Sequence, residues 1–403
     1  MTSSPPPATG PVHEALAGLL LVDHHCHGVL SADPTSEEFH SLITEGDVWP
    51  GSGISPFDSP VGVAVRRHCA PLLDLPPHAP VTDYLARRAE LGWREVNRRF
   101  IAAAGTEVFC VDTGFTPHRL TAPAELAAAT GRPAAAAYEV VRLEAVAEAV
   151  AAEGVEPDQY ASAFVAAARN AVDERGAVAV KSVAAYRTGF DLDPSRPSDG
   201  DVTEAARRWL APARTGGSTA DGADADHQAP PRLDDPVLVR HLLWTAVDLG
   251  LPLQLHTGFG DNDIRMHRVD PTHLTDWLHL TSGTIAVLLL HCWPYQRQAA
   301  FLATVFEQVY LDVGLTLHHV GPVRARAVLE EALEITPFRK LLYSSDAYGI
   351  PEFYRLGALA FRRGLGELLQ DRVDADELSL PDARRIVAWT GRDNACRVYG
   401  LPR

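Results

Sequence analysis

The sequence predicts an α/β fold, a (β/α)8 barrel of the TIM type. Short apolar runs alternate with helical stretches from about residue 19 onward. Those runs are apolar nearly throughout, as strands of a parallel sheet covered on both faces are. Eight can be counted, near residues 20, 109, 140, 179, 254, 288, 311 and 343, and eight is the number that closes such a barrel. The expectation is one domain over 1–403, with a helical insertion after the first strand at about 33–105 and a long flexible loop at about 191–232.

Each element has its own signal. The Pro/Ser-rich stretch 1–10 reads as a loose tail. A helical pattern over 13–20 runs into a short apolar strand at 19–23. Within 33–105, Pro/Gly breaks fall at 49–51 and 76–77, and 81–100 is the best helix, its apolar residues spaced for one face. Residues 107–111 read as a strand, and 123–129 as a helix with Pro123 in its first turn and Gly131 just past its end. A strand at 137–143, helices at 146–153 and 160–174 (closed by Gly176) and a strand at 177–181 follow. The rhythm breaks over 191–232, where 213–232 is rich in Gly, Ala, Asp, Ser, Thr and Pro. It resumes with a helix at 237–249, strands at 252–256 and 285–291, a helix at 299–306, and strands at 309–313 and 341–346.

Bulk properties narrow the function. A formal charge of −16 disfavours nucleic acid and anionic membrane as partners. The apolar run 15–22 is too short to span a bilayer, and no secretory signal is visible. Five cysteines, an odd number without paired spacing, read as reduced thiols of a cytoplasmic protein. No G-x-G-x-x-G follows a strand and no Walker A pattern occurs, so a small-molecule substrate is expected without an organic cofactor. A homodimer is the commonest soluble assembly and is the default here.

The chemistry is positional. The first strand runs into Asp23-His24-His25-Cys26-His27, the fourth ends in Lys181, the fifth in His256, the sixth in His291 and the eighth in Asp346. In a parallel barrel these ends meet on one face, where active sites of such barrels lie. One histidine after a strand is ordinarily a polar cap or a core residue. His25 and His27 carry more weight, because side chains at i and i+2 of an extended segment point the same way. Nitrogen and oxygen donors of this kind suit a divalent first-row metal, zinc first and manganese as an alternative, as one ion or two.

Other residues carry paired readings. His24 points the alternate way and reads as structural. Arg187, Arg142 and Tyr186 could hold a substrate carboxylate, or could pair within the core or surface. Asp261, with Asp263, could meet a substrate amine, or could shape a turn. His318 and His319 either line the pocket or start a helix. Cys26 and Cys292 read as small apolar packing groups.

With those stations in place, the sequence resembles the amidohydrolase superfamily, from about residue 19 to the end of the chain. The stretches 180–187 (VKSVAAYR), 253–260 (LQLHTGFG), 290–295 (LHCWPY), 343–349 (YSSDAYG) and 394–399 (NACRVY) are similar to the amidohydrolase-like half of the nodulin/glutamine-synthetase fusion proteins. The resemblance implies His25, His27, Lys181, His256, His291 and Asp346 as metal ligands, with Asp346 and His291 catalytic. It also implies hydrolysis of an amide, with a γ-glutamyl amide of an amine as the substrate by analogy. Lys181 would then be a carboxylated lysine bridging two metals; its alternative is a plain ion-pairing or substrate-binding lysine. Lys181 and Lys340 are the only lysines in an Arg-dominated chain, and arginine, always protonated, could not add CO₂. Without the bridge, a one-metal site of His25, His27, His256 and Asp346 remains, with His291 as acid/base. The rivals are a decarboxylase or sugar-acid isomerase on the same scaffold, toward which a missing strand-four lysine would point, and a metal-holding protein without catalysis.

Overall fold

The computed structural model describes residues 10–46, 52–214 and 232–402. Seven parallel strands lie in sequence order in one curled sheet: β1 (Leu21–Cys26), β2 (Thr106–Asp112), β3 (Ala136–Arg142), β4 (Ala179–Ser182), β5 (Leu253–Thr257), β6 (Val287–His291) and β7 (Val309–Leu311). Four of them extend beyond the ends read from the sequence, through Cys26, Asp112, Ser182 and Thr257. Polar residues do not terminate a buried strand when they find hydrogen-bond partners inside, and these do.

The expected eighth strand is a correction in detail. Residues 341–349 are not a regular strand, yet they hydrogen-bond to both edges of the sheet. Leu342 N–H donates to Leu311 O on the β7 side (3.0 Å). On the β1 side His24 N–H donates to Tyr343 O (3.1 Å), Asp346 N–H to His25 O (3.0 Å) and His27 N–H to Ala347 O (2.8 Å). Asp346 adopts φ 50°, outside the extended region, and this bends the segment out of regular strand geometry.

Helices cover the outside of the sheet. Between β1 and β2 lie helices Ser36–Leu42, Pro60–Ala64, Val81–Leu91 and Trp93–Ala104. The single helix read over 81–100 is therefore two, parted at Gly92, whose φ 76° and ψ 151° no helix accommodates. The break at 49–51 lies outside the described residues, as do the first nine residues and 215–231 of the expected loop. The front of that loop is instead a helix, Asp199–Arg214. Ser198 Oγ accepts from Asp201 N–H at its start (3.2 Å), and Val202, Ala205, Ala206, Trp209 and Leu210 form a buried face at helical spacing. The surrounding Pro, Asp and Gly hid that stripe in the sequence. The 23-residue helix Glu352–Asp374 packs its buried face on helices Thr316–Ala332 and Trp93–Ala104.

Lys340 has a structural role. Its Nζ donates to the carbonyls of Ala303 (2.8 Å) and Phe306 (2.7 Å), at the C-terminal end of helix Gln296–Val305, where a cation satisfies orphan carbonyls. All five cysteines are buried and none forms a disulfide. Among the described residues no helix is long and apolar enough to cross a membrane.

At Gly92 a side chain would meet open space, its nearest neighbour being Asp33 Oδ2 at 4.0 Å, so only the backbone conformation resists substitution. Gly92→Ala is expected to destabilise the fold by about 1–3 kcal/mol, the cost of holding a non-glycine residue in that region. Chemical denaturation measures it; an unchanged midpoint would mean the helix break tolerates a side chain.

Candidate metal centre

The parallel register carries the strand ends to one place. His25 lies on β1, Lys181 on β4, His256 on β5 and His291 on β6, while Asp346 arrives from the segment that bridges β7 and β1. Asp346 Oδ1 stands 2.9 Å from His25 Nε2 and 3.6 Å from His27 Nε2, and its Oδ2 stands 3.5 Å from His291 Nε2. Donor atoms of His25, His27 and Asp346 all lie within 4.8 Å of one another. The His256 and His291 rings are 4.6 Å apart, and the His25 and His291 rings 5.7 Å. Lys181 Nζ sits 2.9 Å from His25 Nε2. All six predicted ligands thus converge.

The two H-x-H imidazoles are oriented from behind. His25 Nδ1 bonds to Gln254 Oε1 (2.8 Å) and His27 Nδ1 to the carbonyl of Asp112 (3.0 Å). Both acceptors are oxygens without a proton to give, so each Nδ1 carries the hydrogen and each Nε2 presents a lone pair inward. That is the arrangement in which metal-ligating histidines are held. The Tyr354 hydroxyl donates to the His27 carbonyl.

Burial dominates the electrostatics. It holds His25, His256 and His291 well below the usual imidazole range, and His27 at about 3. The four rings are therefore neutral, as ligands must be. Burial raises Asp346 to about 7, against the pull of Lys181 and His27. It also lowers Lys181, opposed by the carboxylate of Asp112, 3.2 Å away. Burial alone would raise Asp112, but the charges of Arg142 and Lys181 outweigh it and keep that carboxyl well below its ordinary value.

The donor set fits a divalent cation. His256 Nε2 and both ring nitrogens of His291 are buried without a hydrogen-bond partner among the described residues, a costly state for polar atoms unless an ion or a water meets them. Gly260 lies close by: a Cβ there would stand 3.0 Å from His256 Nε2. His291 and Asp346 both hold positive φ, 69° and 50°, at a cost of about 1–3 kcal/mol each, and such strain clusters at functional sites.

A cavity of about 200 Å³ opens over these donors, with His27, Lys181, His256 and Asp346 on its wall. Arg187, Tyr186, Arg142 and Asp261, the residues expected to meet substrate, all line it. Three of them are already engaged: Arg142 Nε and Nη2 donate to Asp112 Oδ2 (3.0 and 2.6 Å), Arg187 pairs with Glu148 (2.8 Å), and Asp261 Oδ1 accepts from Asp263 N–H (2.9 Å). The Tyr186 ring packs 4.4 Å from that of His256. A larger void of about 1070 Å³ shares Arg142 with it and reaches Asp112, but touches none of the histidines.

Sequence reasoning missed several residues. Asp112 binds Lys181 and Arg142 through its carboxylate and His27 through its carbonyl. It ends β2 by the same rule that found the other stations, but the strand was read one residue short. Glu45 also lines the cavity, with no motif to announce it. His319 approaches Glu45 at 3.5 Å, whereas His318 stacks on Phe353; both belong to helix Thr316–Ala332. Cys26 and Cys292 are buried, with burial pushing both thiols well up, as inert packing groups are.

Known proteins share the family and the fold. The profile of the family described as amidohydrolase matches residues 22–401. Protein fluG of Emericella nidulans is 28% identical over 417 residues, covering 94% of this chain and 46% of fluG, so the chain spans less than half the length of that relative. A crystal structure of a Lactobacillus casei protein, described as a metal-dependent hydrolase, superposes with a TM-score of 0.77 at 25% identity, covering 96% of this chain and 97% of that one. Glucuronate isomerase of Caulobacter crescentus shares the fold at a TM-score of 0.64 and 15% identity, covering 97% and 93% of the two chains.

Adding Zn²⁺ or Mn²⁺ to chelator-treated protein is expected to raise its melting temperature, by the equivalent of about 4 kcal/mol at a thousandfold excess over Kd. His25→Ala should remove most of that gain. Calorimetry checks both, and an unshifted transition in the wild type would count against a metal centre.

Proposed function

This chain belongs to the amidohydrolase family, and we propose that it is a metal-dependent hydrolase cleaving an amide C–N bond, with a γ-glutamyl amide of an amine as its substrate. The observation that carries the proposal is the convergence of four neutral imidazoles, Lys181 and Asp346 beneath one cavity. His25, His27, His256, His291 and Asp346 would hold the ion, with zinc the first expectation. When bound, a divalent ion supplies the Lewis acidity that brings the pKa of water from about 15.7 toward about 7 and polarises the scissile carbonyl.

The chain's own groups do the rest. Asp346, its carboxyl raised to about 7 by burial, is poised to accept a proton at a carboxylate oxygen near neutral pH and return it to the departing amine. His291, buried against it, is the second acid/base candidate. The cavity offers both signs of charge: Arg142, Arg187 and Arg232 on one hand, Glu45, Asp261 and Asp263 on the other. A glutamyl group carries an α-carboxylate and an α-ammonium, which such a wall complements. Each guanidinium has five N–H donors, so pairing with Asp112 or Glu148 does not exhaust it. Lys181 is proposed as a carboxylated bridge between two ions; the neutral amine this requires is favoured by burial and opposed by Asp112. The acidic balance and thiols outside any disulfide fit a cytoplasmic protein acting on a small molecule, with a homodimer as the simplest assembly.

The second reading is a sugar-acid isomerase or a metal-dependent decarboxylase on the same scaffold. Uronate isomerases share the fold, and Lys181 is the feature that weighs against them.

Metal content and amine release should be measured on wild-type protein beside Lys181→Ala, against γ-glutamyl amides, simple N-acyl amines and aromatic carboxylic acids. Close to two metals per chain, falling in the variant together with amine release, is the expected result. One metal in both proteins with CO₂ release would transfer the protein to the decarboxylases. Asp346→Asn is expected to lower kcat by about 10²–10⁴-fold, the range for a general acid/base. A smaller loss in steady-state assays would shift that role to His291.

A further inference from the structure

β5 buries a glutamine between two leucines. Gln254 is fully buried and precedes His256 by two residues. Both ends of its amide are engaged. Oε1 accepts from His25 Nδ1 (2.8 Å), while Nε2 donates to the His24 carbonyl (2.7 Å) and to the Tyr399 hydroxyl (2.8 Å). Flipping the amide would set its oxygen against the His24 carbonyl, so the observed orientation is the one the surroundings enforce.

The proton directions then follow outward without conflict. Tyr399, having accepted from Gln254, gives its own hydrogen to His24 Nδ1 (2.9 Å). His24 Nε2–H donates to Asp312 Oδ2 (2.8 Å). The other oxygen, Asp312 Oδ1, accepts the backbone N–H of His291 (2.9 Å) and of Gly314 (2.7 Å). One buried chain thus runs from the imidazole of His25 to the backbone of His291. Tyr399 enters it from helix Asn394–Tyr399 and packs in the same apolar cluster as Val22, Leu288 and Leu342.

We infer that Gln254 and Tyr399 are positioning residues for the metal centre: together they hold His25 in the tautomer that turns its Nε2 lone pair toward the ion. This rests on the metal-centre reading above. His24 belongs to the same chain, its ring bonded on one side to Tyr399 and on the other to Asp312. The pairing of β1 with β2 is irregular between Asp23 and Cys26, which breaks strict alternation at that point.

The test uses Co²⁺, whose visible absorption reports ligand geometry, on the full chain stripped with chelator. Gln254→Leu removes the acceptor and is expected to weaken Co²⁺ binding about 10–100-fold and to change the spectrum. Tyr399→Phe keeps the ring and removes the hydroxyl, and should weaken binding by a smaller factor. Gln254→Glu, which in its neutral form still accepts from His25, should recover affinity toward the wild-type value. If Gln254→Leu does not fold, Tyr399→Phe and Gln254→Glu carry the test. Melting temperatures that fall while Co²⁺ affinity and spectrum stay as in the wild type would overturn the inference, leaving Gln254 and Tyr399 as core packing only. A wild-type protein that takes up no Co²⁺ would overturn the metal centre itself, a distinguishable failure.

Discussion

The site depends on one constraint, the closure of hydrogen bonding across the gap between β7 and β1. Residues 341–349 fill that gap without forming a regular strand, bonded to Leu311 on one side and to His24, His25 and His27 on the other. Because Asp346 N–H donates to the His25 carbonyl, the backbone sets the two segments in the register at which the carboxylate meets the first imidazole. His256 and His291 then fall into place by register: Gln254 pairs with Leu288, and His256 with Leu290.

Burial sets the electrical character of what the backbone assembles. Imidazoles out of water give up their protons, a carboxyl out of water retains one to higher pH, and an ammonium loses part of its advantage. Those three tendencies produce neutral donors, an acid/base group near neutrality and a lysine of lowered basicity in one small volume. Asp112 is the counterweight. Held ionised by Arg142 and Lys181, it supplies the negative charge that keeps a buried cationic cluster tolerable. It also orients His27 through its carbonyl, so its placement serves charge and geometry together.

The H-x-H donors are anchored from behind, His25 on Gln254 and His27 on the Asp112 carbonyl. His256 Nε2 lies on the cavity wall without a hydrogen-bond partner among the described residues, and the ring nitrogens of His291 are buried beside it in the same state. Anchored donors beside unsatisfied buried nitrogens are the pattern expected where a ligand completes the bonding.

Much of this was legible in the sequence, for reasons of range. Apolar runs and helical stripes are local, so they revealed the strand rhythm, and a residue at a strand's C-terminal end is defined by that rhythm alone; His25, His27, Lys181, His256, His291 and Asp346 all follow from it. Where local signals conflicted, the reading failed: Gly92 divides a helix whose stripe looked continuous, and Pro, Asp and Gly masked the helix Asp199–Arg214. The partners that orient the donors left no such trace. Gln254 lies 229 residues from His25, Tyr399 lies 375 from His24, and Asp112 lies 85 from His27. Which polar side chains meet across such separations depends on strand register and on an irregularity in β1, and these exist only once the sheet has curled. The sequence by itself determined which residues stand at the mouth of the sheet, because spacing along one strand decides it; the tertiary structure alone decided what holds each of them, because a hydrogen bond between strands is a fact about their alignment.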